Sequence, residues 1–404
     1  MSVLARYSAV LRGHGTAIPL IASVVGRLSL GMSGFALLLL VKDTTGSYAA
    51  AGLVSACYAL AFGVFGPSRA RSADRRGPVR VLLLTAALHP LALVALVLLA
   101  VSDLPTWVLV LPAVLGGATV PPLGPVMRAI WGTLLVGPQR ATAYSLESVV
   151  IELCFVLGPL LTALLAATID PAAAVLAAAG LAVAGALWMA ATPVVRAVVP
   201  VEAVTRGRTG PLASPAVRAL LLTVVGIGVG FGAIEVALPA YVEAEGARPA
   251  SAGILLAVWS LGSIVGGLVY GGLHLVTPHR RQLPVLVGAL AVGALLPLLA
   301  GGPVLMGLAL FAYGLAIAPF TACNAVLLGE AAPPGTVTEA FAWSSSMIFG
   351  GAALGSGLAG VLVERSGPTA GLAVTAVAGG LSLVAAIAGL VRMREPGTGQ
   401  VAGI

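Results

Sequence analysis

"SRARSADRRGPVR", residues Ser68 to Arg80, holds five arginines and one aspartate in thirteen positions of a chain in which only 9% of residues are charged. The sequence turns apolar on both sides of it, over 48 to 66 and over 79 to 101. Each run can cross a bilayer core of about 30 Å as a helix. The stretch is therefore a charged connector between two membrane spans. Working outward, the remaining spans fall at 17 to 41, 105 to 126, 141 to 168, 172 to 195, 217 to 241, 250 to 276, 283 to 300, 304 to 328, 338 to 363 and 371 to 391. With 59% hydrophobic residues and a mean hydropathy of +1.08, the 404-residue chain is too apolar for a water-soluble globule. The Leu/Ala-rich runs lack the period-two alternation of a barrel, and helices satisfy their own backbone hydrogen bonds in lipid. The expected fold class is all-α integral membrane, with twelve transmembrane helices.

The first run is too long for the short apolar core of a cleaved signal peptide and is expected to be retained. Cys57, Cys154 and Cys323 all fall inside spans and read as small packing residues. The net charge of +7 matters less than where the charges sit. Lys42, Arg248 and Arg365 fall on one side of the spans and Arg27 inside the first, so seventeen of the 21 basic residues gather on the side of the N-terminus. The positive-inside rule then places both termini in the cytoplasm, in a plasma or bacterial inner membrane. Nucleic acid is not an expected partner; the lipid bilayer is.

The basic, Pro- and Gly-containing connector from Arg196 to Arg218 separates six spans from six. The expected organisation is a bundle over 1-195, a linker over 196-218, a second bundle over 219-395 and a tail over 396-404. An offset of 197 takes Pro122 to Pro319, Ala143 to Ala340, Leu157 to Leu354 and Gly158 to Gly355. Near the second and eighth spans the offset is 201, taking Ala51 and Gly52 to Ala252 and Gly253. This collinearity indicates a duplicated six-span unit, the layout of transporters that rock about a site between their halves. Stripes of small residues at Ser55, Ala59 and Gly63, at Cys154, Gly158 and Thr162, at Gly262 and Gly266, and at Gly351, Gly355 and Ala359 are expected to line the seam.

Twelve spans as six plus six, with a charged connector after the second, resemble the major facilitator superfamily. The family's signature there reads Gly, three variable residues, Asp, a basic residue, a variable residue, Gly, then basic residues. Asp74, Arg75 and Gly77 match it, Ala70 replaces the first glycine, and Arg80 supplies a later basic residue. The resemblance implies that Asp74 meets the start of the eleventh span, near Thr336 to Glu339, as a latch that forms when the cytoplasmic side is closed. Gly158 and Pro159 match the Gly-Pro of the family's antiporter signature on the fifth span, with small residues at Ser145, Cys154, Thr162 and Ala163. The proton-linked drug and sugar efflux branch is the part of the family that this resembles, and a monomer is what it implies.

Charged groups at the bilayer centre cost about 2.5 to 3.5 kcal/mol on insertion scales, so each needs a partner or a wet cavity. Arg27, Glu147, Glu152 and Glu235 are the four. Glu152 points away from the small stripe of its span and Glu147 lies almost on it, at 100° per residue. The family's architecture puts the fifth span beside the first. An Arg27 to Glu152 pair inside the first half is therefore expected, either static or opened by protonation of Glu152. Glu235 is the expected proton or cation site. Tyr58, Trp259, Tyr313, Asn324 and Trp343 are candidates for the cavity wall, and Glu339 for a contact with the arginine connector. His89, His274 and His279 lack metal-ligand spacing, and no Walker, HExxH or GxSxG motif occurs. No metal, cofactor or catalytic residue is expected. The function expected is proton-coupled efflux of a small organic molecule by alternating access, with uniport, import or a non-transporting sensor or enzyme as alternatives.

Overall fold

The computed structural model describes residues 15–102, 104–135, 137–198, 211–272, 277–333 and 337–393. The helices are α1 (Ala17–Thr45), α2 (Tyr48–Arg76), α3 (Pro78–Ala100), α4 (Val110–Ala118), α5 (Leu123–Leu134), α6 (Gly137–Thr168) and α7 (Pro171–Ala191), then α8 (Pro215–Ala244), α9 (Ala252–Gly272), α10 (His279–Gly293), α11 (Pro303–Gly314), α12 (Ile317–Ala331), α13 (Val337–Ser366) and α14 (Pro368–Met393). They supply twelve stretches long and apolar enough to cross a membrane, matching the twelve expected. Helices α1 to α7 form one bundle and α8 to α14 the other.

Local chemistry sets the ends. Gly46, at φ 71°, closes α1, and the Ser47 hydroxyl accepts from the Ala50 N–H to open α2. Asp170 and Ser214 do the same for α7 and α8, each followed by a proline at the first helical position, where its missing N–H costs nothing.

Two expectations about the spans need correction. The arginine connector is mostly helix: α2 runs on to Arg76, and the chain turns only at Gly77, at φ 85°, before Pro78 opens α3. The fourth span is broken between α4 and α5 at Pro121 and Pro122, which have no N–H to continue the ladder, and the tenth is likewise broken between α11 and α12. The connector over 199–210 lies outside the described residues.

In each bundle the first helix packs against the fifth and sixth spans through glycines. Gly31 of α1 meets Gly158 of α6 backbone to backbone: a Cβ on Gly158 would stand 2.7 Å from the Gly31 Cα. In the second bundle Gly355 of α13 meets Val229 and Ala233 of α8 in the same way, the latter at 3.0 Å. The repeat relation of Gly158 and Gly355 is thus a shared packing position.

This corrects the expectation that all four small stripes line the seam. Those of α6 and α13 pack inside their own bundles, and Gly262 and Gly266 of α9 pack on Phe311 and Leu315. Only the α2 stripe faces the other half, where a Cβ on Gly63 would stand 3.1 Å from the Phe349 Cβ. The seam is instead marked by the pair found at offset 201. A Cβ on Gly52 of α2 would stand 2.5 Å from the Ser356 carbonyl oxygen of α13, and one on Gly253 of α9 would stand 2.6 Å from that of Pro159 of α6. These are equivalent contacts about the axis relating the bundles.

Gly158→Val should lower thermal stability in detergent by the ~1–3 kcal/mol typical of overpacking, because backbone faces it and cannot yield. Gly180→Ala, with open space around it, should leave the melting temperature unchanged.

Candidate functional site

Arg27 pairs with Glu147, not with Glu152. The Arg27 Nη2 donates to Glu147 Oε2 at 2.7 Å, and the two residues are 6% and 4% exposed. The helix angles behind the expectation were sound; the face assigned to each neighbour was not. The Cys154, Gly158 and Thr162 face of α6 rests on α1, so Glu147, on that face, meets Arg27. Gly124 of α5 gives the guanidinium room, since a Cβ there would stand 2.9 Å from Nη2. Among the described residues Arg27 Nη1 and Glu147 Oε1 have no hydrogen-bond partner.

Glu152 faces the other half. Its Oε1 accepts from the Ser263 hydroxyl of α9 at 3.3 Å, and three residues further on the Phe155 carbonyl accepts from Ser260 at 3.2 Å. Glu235 of α8 crosses the seam as well: its carboxylate lies against Gly34 of α1, where a Cβ would stand 2.9 Å from Cδ. The offset of 201 that relates Gly52 to Gly253 also relates Gly34 to Glu235. The acid thus faces a glycine of the other bundle, which makes the space it occupies. No described residue forms a hydrogen bond or ion pair with Glu235.

One helical turn before Glu235, Phe231 meets Trp259 of α9 edge-on, with ring centroids 5.1 Å apart. Trp259 stacks on Tyr313 of α11 at 5.7 Å. Tyr313 is buried at 2% exposure, while Phe231 and Trp259 keep some exposed surface. The other cavity candidates lie apart. Tyr58 is buried on Gly116 and Gly117 of α4, Asn324 is buried in α12, and Trp343 is half-buried on α13. Sequence reasoning missed Gly34, Phe231 and Ser263. The offset of 201 could have found Gly34, and the four-residue spacing from Glu235 could have found Phe231.

At the end away from the arginine connector the seam is sealed by polar contacts. Tyr48 donates to Glu243 Oε2 at 2.7 Å, and Lys42 Nζ lies 3.3 Å from Oε1 of the same carboxylate and 4.7 Å from the Tyr48 ring centroid. Glu364 of α13 accepts from the Ser47 hydroxyl at 2.6 Å and from the Ala49 N–H at 2.8 Å. The second bundle thus caps the first turn of α2, where free N–H groups and the helix dipole favour a carboxylate. Deeper in, Ser346 donates to the Gly63 carbonyl at 2.9 Å, and Phe62 and Phe349 meet at 4.5 Å.

At the arginine connector, Arg69 is buried. It donates to the carbonyls of Gly117, Ala118 and Phe62, capping the last turn of α4. Arg75, Gly77 and Arg80, with Arg76 and Arg196, line an open groove of about 510 Å³. The Asp74 and Glu339 side chains and residues 334–336 lie outside the described residues, and with them the expected latch of Asp74 on the start of the eleventh span and the expected contact of Glu339 with the arginine connector. Cys57, Cys154 and Cys323 are free thiols, and no metal-holding group of three His, Cys, Asp or Glu occurs among the described residues.

The family model described as Major Facilitator Superfamily matches residues 20–336 and again 220–403, so it runs across both bundles and recurs on the second. The chain belongs to this superfamily. It is a transporter of the facilitator type. No curated protein matches it. Among solved structures, a mutant of the nucleoside transporter NupG is 14% identical, with a TM-score of 0.72 over 93% of this chain and 100% of that one. A bacterial homologue of the iron transporter ferroportin in an inward-facing state is 13% identical, with a TM-score of 0.71 over 93% and 98%. A mutant of the peptide transporter POT is 16% identical, with a TM-score of 0.69 over 93% of each. At such identities these likenesses establish the facilitator fold.

Arg27→Ala should destabilise the protein by ~3–5 kcal/mol, because it strands the Glu147 carboxylate, whereas Arg27→Met with Glu147→Leu should recover most of that loss. Melting curves of the three proteins in detergent give the comparison. For the polar seal, spin labels on Thr45→Cys and Ser366→Cys, in a protein whose native cysteines are serine, should move apart when Glu243 and Glu364 are both changed to Ala. An unchanged distance distribution would show that the seal does not hold the halves together.

Proposed function

We propose that this facilitator exchanges a small organic molecule for protons by alternating access, with Glu235 as the site that carries the proton. The observation behind this is the Glu235 carboxylate, set against Gly34 of the other bundle and without a hydrogen-bond or ion-pair partner among the described residues. A half-buried carboxylate with no basic partner in the membrane span is stabilised when protonated or when a cation sits on it, and either occupant can be exchanged when the halves part. Arg27 and Glu147 then serve as a fixed strut that orders the first bundle. Glu152, held only by a serine of the other half, is freed whenever the seam opens.

The energetics suit such a motion. Inside each bundle the helices meet glycine to backbone along their length, whereas across the seam such contacts stand at Gly52 and Gly253 among polar links. Across the sealed end the links include a partly exposed ion pair and carboxylate hydrogen bonds, each a contact worth about 1 kcal/mol or less when exchanged with water. With the arginine-rich end in the cytoplasm, the sealed end faces outward, and the direction in keeping with the family resemblance is efflux across the cell membrane. A single copy is taken as the working unit.

In proteoliposomes loaded with a pH dye, at least one member of a panel of amines, nucleosides, sugars and dipeptides should move protons against its own flux. Glu235→Gln should abolish the proton movement while labelled substrate still exchanges across the membrane. Proton movement that persists in Glu235→Gln sinks the assignment, and exchange without any proton movement in the unmodified protein makes the chain a uniporter.

A further inference from the structure

The pairing of Arg27 with Glu147 changes the charge of the seam. A guanidinium joined to Glu152 would have left the seam near neutrality, with an arginine to release toward an anion. Instead the described structure neutralises Arg27 inside the first bundle and turns Glu152 and Glu235 toward the other half, neither one in contact with a basic side chain. Lys42, at the sealed end, is held by Glu243. The carboxylates are linked by one aromatic step. Phe231 precedes Glu235 by a turn on α8 and touches Trp259, and Trp259 precedes Ser263, the donor to Glu152, by a turn on α9. Tyr313 backs Trp259 from within the second bundle, and Phe231 and Trp259 keep accessible surface. A carboxylate beside aromatic rings favours one ligand chemistry, a positive charge on an apolar body, because the rings attract a cation as the carboxylate does and repel an anion.

We propose that the transported molecule is an organic cation, an ammonium with an apolar or aromatic body, bound between Glu235 and the Phe231–Trp259 pair. The proposal rests on the transporter reading above and supplies its substrate class. The cation and the proton compete for Glu235, and so exchange follows from occupancy of one group. Gly34 makes the site asymmetric: an acid at that position as well would place two carboxylates against each other.

The test is calorimetric titration of the purified full chain in nanodiscs with tetramethylammonium, benzyltrimethylammonium and benzylsulfonate. Benzyltrimethylammonium should bind most tightly, tetramethylammonium more weakly and benzylsulfonate not at all. Glu235→Gln should weaken cation binding by roughly tenfold or more, and Trp259→Leu by roughly two- to thirtyfold, the span from an exposed to a desolvated cation–π contact. Glu330→Gln, an exposed acid at the arginine-rich end, should change nothing. Should Glu235→Gln fail to fold, Trp259→Leu carries the comparison. Binding of benzylsulfonate as tight as that of the cation, undiminished cation binding in both variants, or no binding of either cation overturns the proposal. Because binding is read without flux, any of those results leaves the proton-exchange experiment standing by itself.

Discussion

The close approach of α1 and α6 at Gly31 and Gly158 is the contact on which the rest of the site depends. With two glycines facing each other, backbone meets backbone and the rotation of α6 is fixed. Once that face is committed to α1, the positions of both acids on α6 follow from helical geometry. Glu147, seven residues before Cys154, is carried to Arg27, and Glu152 is carried to the opposite side, against the other bundle. The charge of the seam is thus decided by two missing side chains.

A division of labour results between the interior of each bundle and the seam. Inside, contacts are mostly apolar and backbone-close, and the one ion pair among the described residues there is buried and short. At the seam, glycine contacts at Gly52 and Gly253 bring α2 to α13 and α6 to α9, but polar links around them are hydrogen bonds and partly exposed charges that water replaces at little cost. Rigid bodies joined by exchangeable contacts are what rocking requires. The carboxylate cap on α2 adds direction, because the Glu364 acceptor reaches its Ser47 and Ala49 donors only while the bundles meet at that end.

Much of this was legible in the chain. Twelve spans, the repeat and the membrane-embedded placing of Arg27, Glu147, Glu152 and Glu235 follow from apolar length, collinear offsets and the cost of charge in lipid. The pairing did not. Helical angles separated Glu147 from Glu152 correctly, yet a helical wheel has no outside reference, and small residues mark close approach without naming the partner. The arginine connector misled for a related reason. Arg69 reads as a loop charge, but α2 continues past it and turns it onto the free carbonyls of α4.

Apolar length and charge asymmetry depend on composition along the chain, so the sequence by itself determined the fold class, the number of spans, the duplication and the short roster of membrane-embedded charges. Which charge meets which depends on the rotation of each helix about its axis, and that is set by packing against neighbours distant in sequence. Only the tertiary structure therefore decided that Arg27 is paired within its own bundle and that Glu235 lies against Gly34 of the other.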